Sequence, residues 1–142
     1  MSHAEKSSES SGAARGHAGG AAATVIPAVY AFLGWMAPKV GSFPRVHRFT
    51  VGDRVMSSLL DLLDALIMAQ YEPQERQRAL RSANLCLERL RYLVRLAKDL
   101  QCLSLKEYEH SARHMVDIGR QIGGWARHAR AARGGHPSSS ER

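Results

Sequence analysis

Few spacings in this chain could do chemistry. His110 and His114 stand four residues apart in a stretch of helical period, so one helix face could offer two imidazoles to a metal ion. No third ligand stands at a matching spacing; the pair is expected to be ordinary surface histidines, and no metal or cofactor is expected. Asp61 and Asp64 are an i,i+3 pair of carboxylates, the raw material of acid–base catalysis. Without a neighbouring nucleophile, glycine-rich loop or histidine, they read as a solvated strip. Cys86 and Cys102 lie in apolar helical sequence and lack C-x-x-C or zinc-ligand spacing, so they are expected as reduced core thiols. These residues form no convergent catalytic set, and no enzymatic activity is expected.

The cations are more informative. The stretch "ANLCLERLRYLVRLAKDLQ" at 83–101 threads Arg89, Arg91, Arg95 and Lys98 through apolar sequence. On a helical wheel Leu80, Ala83, Leu87, Leu90, Val94 and Ala97 make one apolar face, and Leu85, Leu93, Leu96 and Leu100 make a second. Arg81, Asn84, Glu88, Arg91, Arg95 and Lys98 share the remaining strip. Two apolar faces exceed what one core requires, which points one of them at another subunit.

A second basic line follows from Lys106, Arg113, Arg120 and Arg127, spaced by seven and so drifting only ~20° per repeat. Glu109 and Asp117, four residues either side of Arg113, offset part of it. Both lines are either solvated faces laced with intrahelical pairs or surfaces for a polyanion, and arginine's planar fork suits phosphates and stacked bases better than lysine does. Gly119, Gly123 and Gly124 sit inside helical sequence, where each glycine costs ~1 kcal/mol relative to alanine. The expected compensation is close approach of another helix or subunit, with Trp125 packed beside it.

Four helices are needed to position these residues. Glycine and proline punctuation falls at Pro38 to Pro44 and at Glu72-Pro73, with a further break near Cys102, and no strand-period run competes. The first helix, about 24–40, carries Val25, Val29, Phe32, Met36 and Val40 on one stripe, with Pro38 expected to kink or end it. The second is expected to open at a capping box formed by Thr50 and Asp53 and to run to Tyr71. Its apolar rows are Val55, Leu59, Leu62, Leu66 and Met56, Leu60, Leu63, Ile67. The third should start with Pro73 in its first turn and continue to about Gln101. A capping box of Ser104 and Glu107 then opens a fourth helix through to about Ala131. Short loops make neighbours antiparallel, giving an all-α, up-and-down four-helix bundle over 24–131. The leader 1–23 and the tail 132–142, rich in Ser, Gly and Ala, are expected to be disordered.

The 142 residues suffice for one domain. Twenty Lys and Arg against thirteen Asp and Glu give +7, and the excess is concentrated: residues 76–101 carry six Arg and one Lys against Glu88 and Asp99. A folded element holds the charge, not the tails, and a polyanionic partner fits it. From Ala18 to Pro38 there is no charged residue, which would suit a membrane span or signal peptide. Gly19, Gly20 and Pro27, the mixed charges before them and the missing small-x-small cleavage site favour a bundle helix instead, so no membrane partner is expected.

Taken together and in order, "FPRVHRFTVGDR" at 43–54, "LLDLLDALIMAQY" at 59–71, "ANLCLERLRYLVRLAKDLQCLS" at 83–104 and "YEHSARHMVDIGRQIGGW" at 108–125 resemble the accessory variability proteins (Avd) of diversity-generating retroelements. More distantly, they resemble the four-helix-bundle proteins encoded in ribosomal RNA intervening sequences. The resemblance implies a non-catalytic, cytoplasmic bundle that assembles into a homopentamer. Its implied partners are the reverse transcriptase, the template-repeat RNA and the cDNA, and its implied role is support of mutagenic cDNA synthesis. On that basis Arg48, Arg54, Arg89, Arg91, Arg95 and Lys98 would meet nucleic acid or polymerase, joined by Arg81, Arg113, Arg120 and Arg127 of the two basic lines. Leu85, Leu93, Leu96, Gly119, Gly123, Gly124 and Trp125 would serve oligomer or helix packing. Phe43, Pro44 and Phe49 would anchor the turn into the second helix. The alternative from a different class is a basic protein–protein scaffold or regulator without specific nucleic-acid binding.

Overall fold

A computed structural model describes residues 16–134, and these are helical with no strand among them. Four long helices, α1 (Gly16–Gly41), α3 (Asp53–Tyr71), α4 (Arg76–Asp99) and α5 (Leu105–Gly134), account for nearly all of the fold; α2 (Arg45–His47) is a single turn. Each long helix packs against two others: α1 on α3 and α5, and α4 on α3 and α5. That ring is a four-helix bundle. Its seams run antiparallel, since Phe32 and Trp35 of α1 meet His114 and His110 of α5, and Arg91 of α4 meets Met115 while Gln77 meets Arg133.

The core is built as the apolar periods dictate. Val25, Val29, Phe32, Met36 and Val40 of α1, Val55, Leu59, Leu62 and Leu66 of α3, and Leu80, Leu87, Leu90 and Val94 of α4 are all buried. α5 contributes Met115, Ile118, Ile122 and Trp125. Each fully buried aliphatic side chain stabilises the fold by roughly 1.5–3 kcal/mol, so the bundle rests on these stripes. Residues Gly20–Gly41 are long and apolar enough to cross a membrane by length and composition, yet their main stripe lies inside this core.

Several helix ends differ from the sequence expectation. α1 begins at Gly16, inside the expected leader, and runs through Pro38 to Gly41; α5 continues to Gly134. The remainder of the expected disordered leader and tail, 1–15 and 135–142, lies outside the described residues. The capping box of Thr50 and Asp53 is not formed. Pro44 opens the helical path instead, its carbonyl accepting from His47 N–H and Arg48 N–H at 2.8 and 2.9 Å. Thr50 therefore falls within a π-helical stretch, Arg48–Gly52, and its hydroxyl donates to the His47 carbonyl at 3.3 Å. This wider turn brings Gly52 against Val40 and Phe43, where a Cβ would lie only 2.9 Å from Val40 Cγ1. Phe43 is fully buried, as the anchor reading requires, whereas Phe49 is 64% exposed, with the Arg48 guanidinium 5.8 Å from its ring centre.

The second capping box does form. Glu107 N–H donates to Ser104 Oγ at 3.0 Å, and Ser104 N–H donates to Glu107 Oε1 at 2.9 Å. A 3-10 turn, Pro73–Glu75, precedes α4. Arg76 then reaches back to cap α3, donating from Nε to the Ala69 carbonyl at 2.6 Å and from Nη2 to the Gln70 carbonyl at 3.1 Å. At its far end α4 closes in a Schellman motif, with Cys102 N–H bonded to the Ala97 carbonyl and Gln101 N–H to the Lys98 carbonyl. Gln101 has φ 64°, a left-handed conformation that favours glycine.

Candidate interaction surface

The cations that the sequence groups together are dispersed by the fold. Arg89 lines the hollow between α3 and α4, beside Cys86, with Asp61 also on its lining. Arg91 turns the other way, towards α5, where its Nη2 donates to the Met115 carbonyl at 3.4 Å and its Nη1 pairs with Glu88. Lys98 also leans on α5, its ammonium 5.1 Å from the Tyr108 ring centre and 3.1 Å from Asp99. Arg48 folds onto its own turn, donating from Nε and Nη2 to the Phe43 carbonyl. Arg120 pairs with Asp117 at 3.6 Å, and Arg127 lies along Gly123 and Gly124 of its own helix.

Arg54, Arg81, Arg89, Arg95, Arg113 and Arg127 are the cations of the set that stand exposed with no acid paired to them among the described residues. Arg81 and Arg95 project from α4 and Arg113 from α5. Exposed guanidinium groups without a partner keep their full field for an approaching anion.

The second apolar face of α4 is exposed on the protomer. Leu85 is 62% and Leu96 43% exposed, with Tyr92 between them, while Leu93 is half-buried against the core. The outer apolar row of α3 behaves likewise at Leu60 and Ile67. Large aliphatic and aromatic side chains arrayed along a helix, with arginines on their flank, are the composition of a protein-contact surface.

The glycines of α5 differ from one another. At Gly119 a Cβ would sit 2.8 Å from Arg91 Nη2 and 3.2 Å from Leu87 Cδ2, so the close approach here is by α4 of the same chain. At Gly123 and Gly124 a Cβ would meet only Arg127, at ordinary contact distances. Trp125 is 2% exposed and belongs to the protomer's own core.

The residues first considered for catalysis fall into two unrelated places. Asp61, Asp64, Cys86 and Arg89 share the α3–α4 hollow, a volume of about 600 Å³. Burial, with the charge of Asp61 adding to it, pushes the Cys86 thiol up, which keeps it in its poorly nucleophilic form. His110 and His114 are not ordinary surface histidines: His114 stacks on Phe32 of α1 with ring centres 5.1 Å apart, and His110 packs tilted against Trp35 at 4.3 Å. Burial holds His114 below the usual histidine range, aided by the nearby His110, while Asp117 opposes the shift and Arg113 adds to it. No group of three or more metal-ligating side chains occurs among the described residues.

Sequence reading missed the inward roles of Arg91 and Arg76. For Arg91 the available signal was Gly119 in the facing helix, a gap that a long side chain can fill. For Arg76 it was an arginine one turn after a helix end.

No curated protein and no solved structure matches this chain. A family model described as bAvd-like matches residues 26–129.

Proposed function

This chain belongs to the bAvd-like family, and from that membership we propose that it is a non-catalytic accessory variability protein of a diversity-generating retroelement, binding the reverse transcriptase and template-repeat RNA. The family match carries the reading, and the unpaired arginines on the outer faces of α4 and α5 support it. Arg81, Arg95 and Arg113 supply charge for a phosphate backbone; Leu85, Tyr92 and Leu96 supply apolar area for protein contact. In this reading the apolar faces meet neighbouring subunits of a homopentamer, and the assembly works in the cytoplasm on RNA and the cDNA copied from it.

The test is fluorescence anisotropy of a labelled structured RNA, titrated from low to physiological salt with unrelated duplex as competitor. Binding that outlasts the competitor, with a steep salt slope, is expected. Arg95→Glu combined with Arg113→Glu should weaken it and flatten the slope, because each lost phosphate contact lowers the slope by about one. Affinity unchanged by this double reversal would sink the RNA arm. The scaffold alternative keeps its footing in the exposed Leu85–Leu96 face, and would be favoured by weak, sequence-blind binding that vanishes at physiological salt.

A further inference from the structure

At the end of the bundle where α4 begins and α5 finishes lies a second cleft, of about 240 Å³, that the basic stripes do not include. Pro73, Arg76 and Gln77 form one wall, and Trp125, His128 and Arg133 form the other. Among the described residues no carboxylate lines it. Its hydrogen-bonding capacity is heavily biased towards donors: Arg76 spends Nε and one Nη2 hydrogen on the end of α3, and Arg133 spends one Nη1 hydrogen on Gln77 Oε1 at 3.0 Å. The other guanidinium hydrogens and the Gln77 amide nitrogen are left to donate, and the one side-chain amide oxygen is already used.

Trp125 adds an independent observation. It is 2% exposed, lines this cleft, and its indole N–H is buried with no acceptor among the described residues. Indole N–H is a donor only, and burying it unpaired forfeits its hydrogen bond to water, so an acceptor supplied from outside would recover that loss. The local field agrees. α4 has no acid within its first turn, at the end of a helix that favours negative charge, and the Glu75 at its N-cap is paired with Arg78 at 3.5 Å. From Ile118 to Gly134, α5 carries Arg120, Arg127, Arg130 and Arg133 with no Asp or Glu.

We infer that this cleft binds a phosphate group, held by Arg76, Arg133 and the Trp125 indole N–H, and that the phosphate is one borne by the RNA. The identity of the carrier rests on the function proposed above; the phosphate chemistry rests on the cleft alone. A tetrahedral anion satisfies several donors at once, and guanidinium forks match its oxygens.

The chain has two tryptophans, Trp35 and Trp125, so Trp35→Phe leaves Trp125 as the sole indole reporter. In that background, inorganic phosphate titrated against chloride at constant ionic strength should shift the emission saturably. Arg133→Gln, an exposed position whose loss leaves the core intact, should weaken the effect by roughly tenfold or more, with far-UV circular dichroism confirming the fold. A non-saturating change, or one that Arg133→Gln leaves intact, overturns the phosphate site. Short single-stranded RNA then identifies the carrier. Its affinity should fall in Arg133→Gln, and inorganic phosphate should compete with it. RNA affinity unaffected by Arg133→Gln, beside saturable phosphate binding, overturns RNA as the carrier in favour of free phosphate. If the wild-type protein binds no RNA at all, the RNA arm of the proposed function fails, and the phosphate titration still decides the cleft.

Discussion

Arg91 of α4 lies over Gly119 of α5, so close that a Cβ on the glycine would come within 2.8 Å of the guanidinium Nη2. The glycine leaves a gap on one helix, and the arginine from the facing helix fills it and bonds the Met115 carbonyl beyond. An arginine that sequence pattern assigns to an outer basic strip is thus largely a clasp between two helices.

Substitution at Gly119 should follow from that geometry. Gly119→Ala gains ~1 kcal/mol of helix propensity but displaces the tip of Arg91 and presses Leu87, so the net change in unfolding free energy should be within about 1 kcal/mol. Gly119→Leu has nowhere to place its side chain and should cost about 2 kcal/mol or more. Urea denaturation of the three proteins checks both values.

Gly123→Ala and Gly124→Ala should behave differently, because only Arg127 lies near them. Each should raise stability by roughly 0.5–1 kcal/mol through helix propensity alone. A fall in stability, measured alongside sedimentation, would mean instead that another subunit packs on these glycines.

Gln101 occupies a left-handed conformation at the end of α4. Gln101→Gly removes a Cβ clash worth roughly 1–2 kcal/mol, less the added entropy of the unfolded chain, so a net gain of about 1 kcal/mol is expected. Chemical denaturation that shows no gain would contradict the Schellman assignment.

The stack of His114 on Phe32 makes stability depend on pH. Burial lowers the folded pKa below the unfolded value of about 6.5, so the unfolded chain binds more protons in the window between the two. The contribution of His114 is therefore fully present above pH ~7 and is lost as pH falls through 6.5 towards the folded value. His114→Phe keeps a ring against Phe32 and removes the titration. Melting temperatures from pH 7.5 to 5 should decline more steeply for the wild type than for this variant; parallel curves would refute the assignment.

The long apolar stripes were legible in the sequence because a 3.6-residue period needs only residue types: Val25 through Val40, Val55 through Leu66 and Leu80 through Ala97 are buried as the pattern requires. The box of Ser104 and Glu107 was legible for the same reason, being a purely local bond pair. Thr50 and Asp53 carry the same signature and do not form the bond, because Pro44 starts the helix six residues earlier and tertiary contact at Gly52 favours a π turn. The candidate surface was legible only in part. A wheel separates apolar from polar, but it does not distinguish Arg95, which is exposed and pairs with no acid among the described residues, from Arg91, which reaches across a seam. That distinction depends on what the facing helix offers at the same height, as do the partners of His110 and His114.

The ring of contacts has a kinetic consequence. Every seam but one joins helices that follow one another in the chain, so α1–α3, α3–α4 and α4–α5 can form as local hairpins with little loop-closure cost. The seam between α1 and α5 closes the longest loop and should form last in refolding. Trp35 and His110 meet across that seam, so the quenching of one indole times the final step of assembly of the fold.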